Sequence, residues 1–212
     1  MGGIPEGIPQ SEDSRVMKMG KEELMKKLEE KIRNCQKCPL GKLRTNAVPG
    51  AGSYDARVMF VGEAPGYWED QKGLPFVGRA GKLLDELLAE IGLTREEVYI
   101  TNIVKCRPPE NRDPTDEEIK ACSPYLDKQI DIIRPKVIVP LGRHSMSYIL
   151  RKFGFEPEPI SKIHGKAFEA HTLFGKIIIM PMYHPAAALY KPPIREELRR
   201  GFQKLKELIR DS

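Results

Sequence analysis

Apolar residues recur along the chain in two rhythms, and the switches between them mark its elements. From Lys21 to Asn34, Leu24, Leu28 and Ile32 stand four apart among Lys and Glu, the spacing of an amphipathic helix. Cys35 and Cys38 follow in a short loop closed by Pro39. Four short runs have a different character: Arg57–Val61 (RVMFV), Val98–Ile100 (VYI), Lys136–Leu141 (KVIVPL) and Ile177–Met182 (IIIMPM). Brief, β-rich and mostly uncharged, they predict strands.

Helical patterns lie between the strands. One opens at Gly78-Arg79-Ala80-Gly81 and carries Leu83, Leu84, Leu87 and Leu88. A second starts at Pro114-Thr115, with Thr115 and Glu118 three apart as a capping box requires, and Ile119, Cys122, Leu126 and Ile130 on its inner stripe. A third follows Gly142 from about Arg143, and the last runs from about Ile194 to Ile209, with Leu198, Phe202, Leu205 and Ile209 on one face. Strands alternating with helices predict an α/β fold of three layers, α/β/α, around a central, mainly parallel four-stranded sheet. Residues 1–19, rich in Gly, Pro and charge, are expected to form a flexible tail. Residues 20–212 hold no repeat or linker and are expected to form a single domain.

Composition narrows the setting. A chain of 212 residues buries roughly 70% of its unfolded surface, so it needs no metal to fold. Hydrophobic residues make up 40% and charged residues 31%, a balance for a soluble protein whose charge would suit a thermophile. The net charge of +5 permits a polyanionic partner without demanding one. No apolar run approaches the ~20 residues needed to span a bilayer, and Gly2, Pro5, Gly7 and Pro9 break up any signal core. A cytoplasmic location is expected, with no membrane contact and no disulfides.

The four cysteines, Cys35, Cys38, Cys106 and Cys122, then read as metal ligands. Thiolates two residues apart can hold one centre from a tight loop, with Cys106 and Cys122 approaching from elsewhere. Zinc and an iron–sulfur cluster both accept four thiolates, and spacing does not separate them. The bland alternative makes Cys122 an ordinary core residue on its apolar stripe.

Further motifs follow the predicted strands: Gly62-Glu63-Ala64-Pro65-Gly66, Gly73-x-Pro75-Phe76-Val77-Gly78-Arg79-Ala80-Gly81, Thr101-Asn102-x-Val104-Lys105-Cys106-Arg107-Pro108-Pro109 and His184-Pro185-Ala186. Together with the cysteines, this set resembles family-four uracil-DNA glycosylases over about residues 20 to 210. The resemblance implies the superfamily's fold, one [4Fe–4S] cluster on the four cysteines, and hydrolysis of the bond between uracil N1 and deoxyribose C1′ in DNA.

It also implies residue roles. Phe76 stacks on the flipped uracil. The Asn102 amide pairs with uracil O4 and N3–H, a pattern that cytosine reverses. His184 bonds uracil O2 and stabilises the departing anion. Backbone N–H groups around Gly62 to Ala64 donate to the base, and Glu63 positions water or stabilises the cationic sugar. No Lys stands at a recognisable nucleophile position, so the expected product is an abasic site with the strand intact. Phosphate contacts are expected from Arg79, Lys82, Lys105, Arg107 and Lys191, with Leu189 as a wedge into the duplex. A monomer in a prokaryotic nucleoid is expected, with a replication sliding clamp carried as a possible partner. Against this stands a non-catalytic, metal-bearing DNA-binding module, which basic charge and cysteines alone would support.

Overall fold

The computed structural model describes residues 20–210; the expected tail at 1–19 lies outside them. In chain order the elements are α1 (Lys21–Arg33), α2 (Leu40–Leu43), β1 (Ala51–Gly52), β2 (Val58–Gly62), α3 (Tyr67–Lys72) and α4 (Arg79–Glu90). Next come β3 (Tyr99–Asn102), a 3₁₀ turn (Pro109–Asn111), α5 (Asp116–Ile133), β4 (Val137–Pro140) and α6 (Arg143–Lys152). Then follow α7 (Ile160–Ile163), β5 (Phe168–Thr172), β6 (Gly175–Ile179), α8 (Pro185–Ala188) and α9 (Pro192–Arg210).

The sheet has six strands in the order β1-β3-β2-β4-β6-β5. The four expected strands are its interior, β3-β2-β4-β6, and they are parallel. Two antiparallel edge strands, β1 and β5, extend the expected four. Neither carries a strand signature. Strand β1 is two residues long, and β5 (FEAHT) buries only Ala170. An edge strand packs one face at most, so its sequence lacks the apolar run of a central parallel strand.

Alternate residues of each inner strand feed opposite layers. Met59, Val61, Tyr99, Ile138 and Ile179 face a cluster with Met25, Leu28 and Ile32 of α1, Leu126 and Ile130 of α5 and Ile149 of α6. Val58, Phe60, Ile100, Val137, Val139 and Ile178 face Leu83, Leu84, Leu87 and Leu88 of α4 and Leu198, Phe202 and Leu205 of α9. Phe60 and Phe202 stack there at 5.7 Å. On α1 the buried stripe is Met25, Leu28 and Ile32, one residue off the expected start at Leu24.

The capping box on α5 forms as expected. Thr115 Oγ1 accepts from the Glu118 N–H at 3.2 Å, and Glu118 accepts the Thr115 N–H at 2.8 Å. Arg112 closes on the same carboxylate through two bonds of 2.8 and 2.9 Å. Among the described residues, no helix is long and apolar enough to cross a membrane.

The strand order places the site. From β2 the chain crosses to β3 on one side, then to β4 on the other. Beyond the carboxyl end of β2 the crossovers part, leaving the crevice where open α/β sheets bind ligands.

Candidate active site and cysteine centre

Glu63, Ala64, Phe76, Asn102 and His184 all line one cavity of about 590 Å³ in that crevice. Gly62 lies beside it, at the carboxyl end of β2. It pairs in register with Asn102, and a Cβ there would lie 2.8 Å from the Phe76 ring and would collide with Asn102 Oδ1. Glycine at 62 is therefore what lets the ring and the amide converge.

Phe76 takes φ 50°, a conformation that a bulky residue adopts only when its surroundings impose it. Three groups do so. Glu69 accepts the N–H groups of Val77 (2.9 Å) and Gly78 (3.0 Å) just beyond it. Arg95 donates to the carbonyls of Pro75 (3.0 Å) and Phe76. Gly81, in the first turn of α4, lacks the Cβ that would strike the Phe76 carbonyl. The ring then lies against the His184 imidazole, with centroids 5.4 Å apart and planes 25° from parallel.

His184 is half-buried and caps α8, its Nδ1 accepting the Ala186 N–H at 3.0 Å. Burial pushes its pKa down to about 4, against an upward pull from Glu69. The imidazole is thus neutral near pH 7. With Nδ1 engaged as acceptor, the proton resides on Nε2, the free nitrogen.

Glu63 sits in a charged group absent from the sequence reading. His144 Nε2, at the start of α6, lies 3.7 Å from its carboxylate and 3.1 Å from that of Asp113. Arg143 bonds Asp113 at 2.8 Å. Burial pushes the Glu63 carboxyl above its ordinary range; Asp113 adds to the shift, while His144 and Arg143 oppose it. Glu69, Asn111, Arg112 and Trp68 also line the cavity without having been foreseen. Only Asn111 left a trace in sequence, since Asn tolerates the positive φ (55°) that the turn needs there.

The expected phosphate contacts divide. Arg79 is exposed and bonds the Tyr190 hydroxyl. Lys82 and Lys191 are exposed, and Arg107 reaches Asn111 Oδ1 at 2.7 Å. Leu189 is half-buried against the apolar layer, with the exposed Tyr190 beside it. Lys105 corrects the expectation. It is 1% exposed, and its Nζ bonds Thr101 Oγ1 (2.7 Å), the Asn102 carbonyl (2.6 Å) and Gln129 Oε1 (2.7 Å). It cannot touch a phosphate. Its register on the tight turn after β3 points it into the sheet layer, where burial lowers its pKa to about 7.

The four cysteines converge as well, lining one small cavity with Ile32, Arg44 and Tyr125. Arg44 donates to Cys106 Sγ at 3.0 Å, and the Lys105 N–H to Cys122 Sγ at 3.2 Å. Four thiolates around one pocket are a donor set that suits either a tetrahedral zinc or an iron–sulfur cluster. A further cavity of about 480 Å³, at the amino ends of β4 and β6, holds none of the expected site residues.

An aromatic ring, an amide and a neutral imidazole over one cavity at the switch point of a parallel sheet mark the site of an α/β enzyme. A model of the uracil DNA glycosylase superfamily matches residues 49–208. The chain is 56% identical over 181 residues to the type-4 uracil-DNA glycosylase of Saccharolobus solfataricus, covering 85% of this chain and 84% of that one. It is 54% identical over 177 residues to that of Archaeoglobus fulgidus (84% and 89%) and 49% over 169 to that of Thermotoga maritima (80% and 85%). The chain belongs to the uracil DNA glycosylase superfamily, in its type-4 branch.

Proposed function

We infer that this protein excises uracil from DNA by hydrolysing the N-glycosidic bond, and that residues 20–212 act as one catalytic domain. The observation that carries the reading is the convergence on one cavity of Glu63, Asn102 and His184, at or beyond the ends of three strands, and of Phe76, from the turn before α4. Nothing in a non-catalytic DNA-binding module calls for that set.

The target nucleotide must leave the base stack to reach the crevice. Phe76 then offers its face to the uracil ring. Asn102 donates through Nδ2 to O4 and accepts N3–H at Oδ1, and cytosine leaves both atoms mispaired. As the N1–C1′ bond breaks, negative charge grows on the uracil and positive charge on the sugar. The Nε2–H of neutral His184 donates to O2, a bond that strengthens as the anion forms. Glu63 supplies negative charge on the sugar side and orients the attacking water. With no lysine nucleophile in the cavity, the product is an abasic site and the strand stays whole. Arg79, Lys82, Arg107 and Lys191 serve as phosphate contacts, and Leu189 supports the gap left by the extruded base.

The donor set of the second cavity fits one [4Fe–4S] cluster on Cys35, Cys38, Cys106 and Cys122. Bound there, the cluster acts as a cross-link between α1, the turn after β3 and α5. Arg44 and the Lys105 amide donate to its sulfur ligands.

The test is uracil release from an end-labelled oligonucleotide, with alkali required to break the strand. Asn102→Asp should release cytosine where the wild type does not. No release by the wild type across salt and temperature would overturn the reading.

A further inference from the structure

Three aromatic side chains stand exposed at the mouth of the cavity: Tyr67 at 47%, Trp68 at 57% and Tyr190 at 72%. Large apolar rings held in water on a fixed support need a reason. Here the support is firm. Glu69 accepts the Gly66 N–H at 3.2 Å and so closes the start of α3. Buried Asp70 accepts the N–H groups of Thr45 (2.9 Å) and Asn46 (3.2 Å), tying α3 to the segment after α2.

The geometry suits stacked bases. The Trp68 indole lies beside Gly78, where a Cβ would be 3.8 Å from its Cδ1, two residues along from Phe76. Tyr67 and Trp68 meet at 5.1 Å with their planes 80° apart, so at most one face of the indole is covered by Tyr67 and the other is left for a base. Two guanidinium groups interleave with the rings: Arg107 lies 5.2 Å from the Tyr67 centroid and Arg79 lies 5.0 Å from that of Tyr190. Aromatic faces alternating with cations along a groove are the chemistry of a nucleic-acid strand, with bases on the rings and phosphates on the cations. An apolar peptide would leave those cations unused.

We propose that Trp68, buttressed by Tyr67, is a stacking subsite for the unpaired base adjacent to the extruded uracil on the same strand. The protein therefore grips its target strand in a locally single-stranded form and reads two neighbouring bases by stacking, one on Phe76 and one on Trp68. This rests on the uracil-excision reading and adds to it a second base site outside the catalytic pocket.

Trp68 is the only tryptophan in the chain, so intrinsic fluorescence reports on it directly. The probe is a single-stranded oligonucleotide carrying 2′-fluoro-2′-deoxyuridine, whose glycosidic bond resists cleavage. In one version both neighbouring residues carry bases; in the other both are tetrahydrofuran abasic residues. The base-flanked probe should quench Trp68, and the abasic-flanked probe should not. Stacking contributes about 1–3 kcal/mol per base, so Trp68→Ala should weaken the base-flanked probe roughly 5- to 150-fold and leave the abasic-flanked one unchanged. Trp68→Phe should retain most of the difference. Equal quenching by both probes, or equal affinity of Trp68→Ala and wild type for the base-flanked probe, would overturn the proposal. Binding alone is read here, so failure stays distinct from failure of the excision reading, which wild-type uracil release tests.

Discussion

Lys105→Met is the most informative single substitution. Methionine keeps the unbranched shape, one atom shorter, and removes the three donors. Thr101 Oγ1, the Asn102 carbonyl and Gln129 Oε1 each lose a bond of 2.6–2.7 Å. Thr101 and Gln129 keep other partners, since both donate to the Pro49 carbonyl. Each buried acceptor left unpaired costs about 1–3 kcal/mol. The variant also removes the buried cation and recovers its desolvation, which places each of the three losses near the lower end, about 3 kcal/mol in all. At about 2–4 °C per kcal/mol for a chain of this size, the melting temperature should fall by roughly 6–12 °C. The Asn102 carbonyl is one of the three acceptors, so the amide that faces the base should lose its position as well. A misplacement of about 1 Å can cost around 10²-fold in rate. Thermal unfolding followed by circular dichroism checks the first figure. Single-turnover uracil release well below the melting point checks the second. A variant that melts within about 2 °C of wild type and cleaves at the wild-type rate would refute the assigned role of this network.

Other outcomes follow from the same geometry. His144 favours the Glu63 carboxylate and Asp113 disfavours it. His144→Ala should therefore move the acid limb of the pH–rate profile upward and Asp113→Asn should move it downward; superimposed profiles would exclude coupling to Glu63. Gly62→Ala would press a methyl group into Phe76 and Asn102, with an overpacking cost of about 1–3 kcal/mol. Calorimetry should show that modest loss while uracil release falls far more steeply. Cys38→Ser should bleach the broad visible absorption of a brown, cluster-loaded protein and lower its melting temperature. Retention of both colour and stability would remove Cys38 from the ligand set.

The parallel interior of the sheet was legible because a strand buried on both faces must be apolar throughout, and KVIVPL and IIIMPM have no other reading. The edge strands were not, since Ala51–Gly52 and Phe168–Thr172 satisfy a single neighbour and carry little pattern. The resemblance of the strand-end motifs to a known family pointed to Asn102, His184 and Glu63, and the fold gathers them on one cavity because the carboxyl ends of parallel strands share one rim. Lys105 was misjudged for a related reason. Sequence shows a cation beside cysteines, while its direction depends on a turn whose geometry is set only in the fold. His144 and Asp113 reach Glu63 from far along the chain, and Arg95 grips the Phe76 turn from beyond α4. No local pattern announces a partner brought in by tertiary packing.

Gly81 has a consequence for anyone engineering this protein. It stands within a helix, where alanine is preferred by about 1 kcal/mol, so any propensity-guided stabilisation would select Gly81→Ala early. The added methyl would strike the Phe76 carbonyl and unseat the ring that faces the base. A screen for heat tolerance alone would therefore drift toward sturdier, inactive variants, and α4 keeps its weakest helix former at the one place where the pocket needs room.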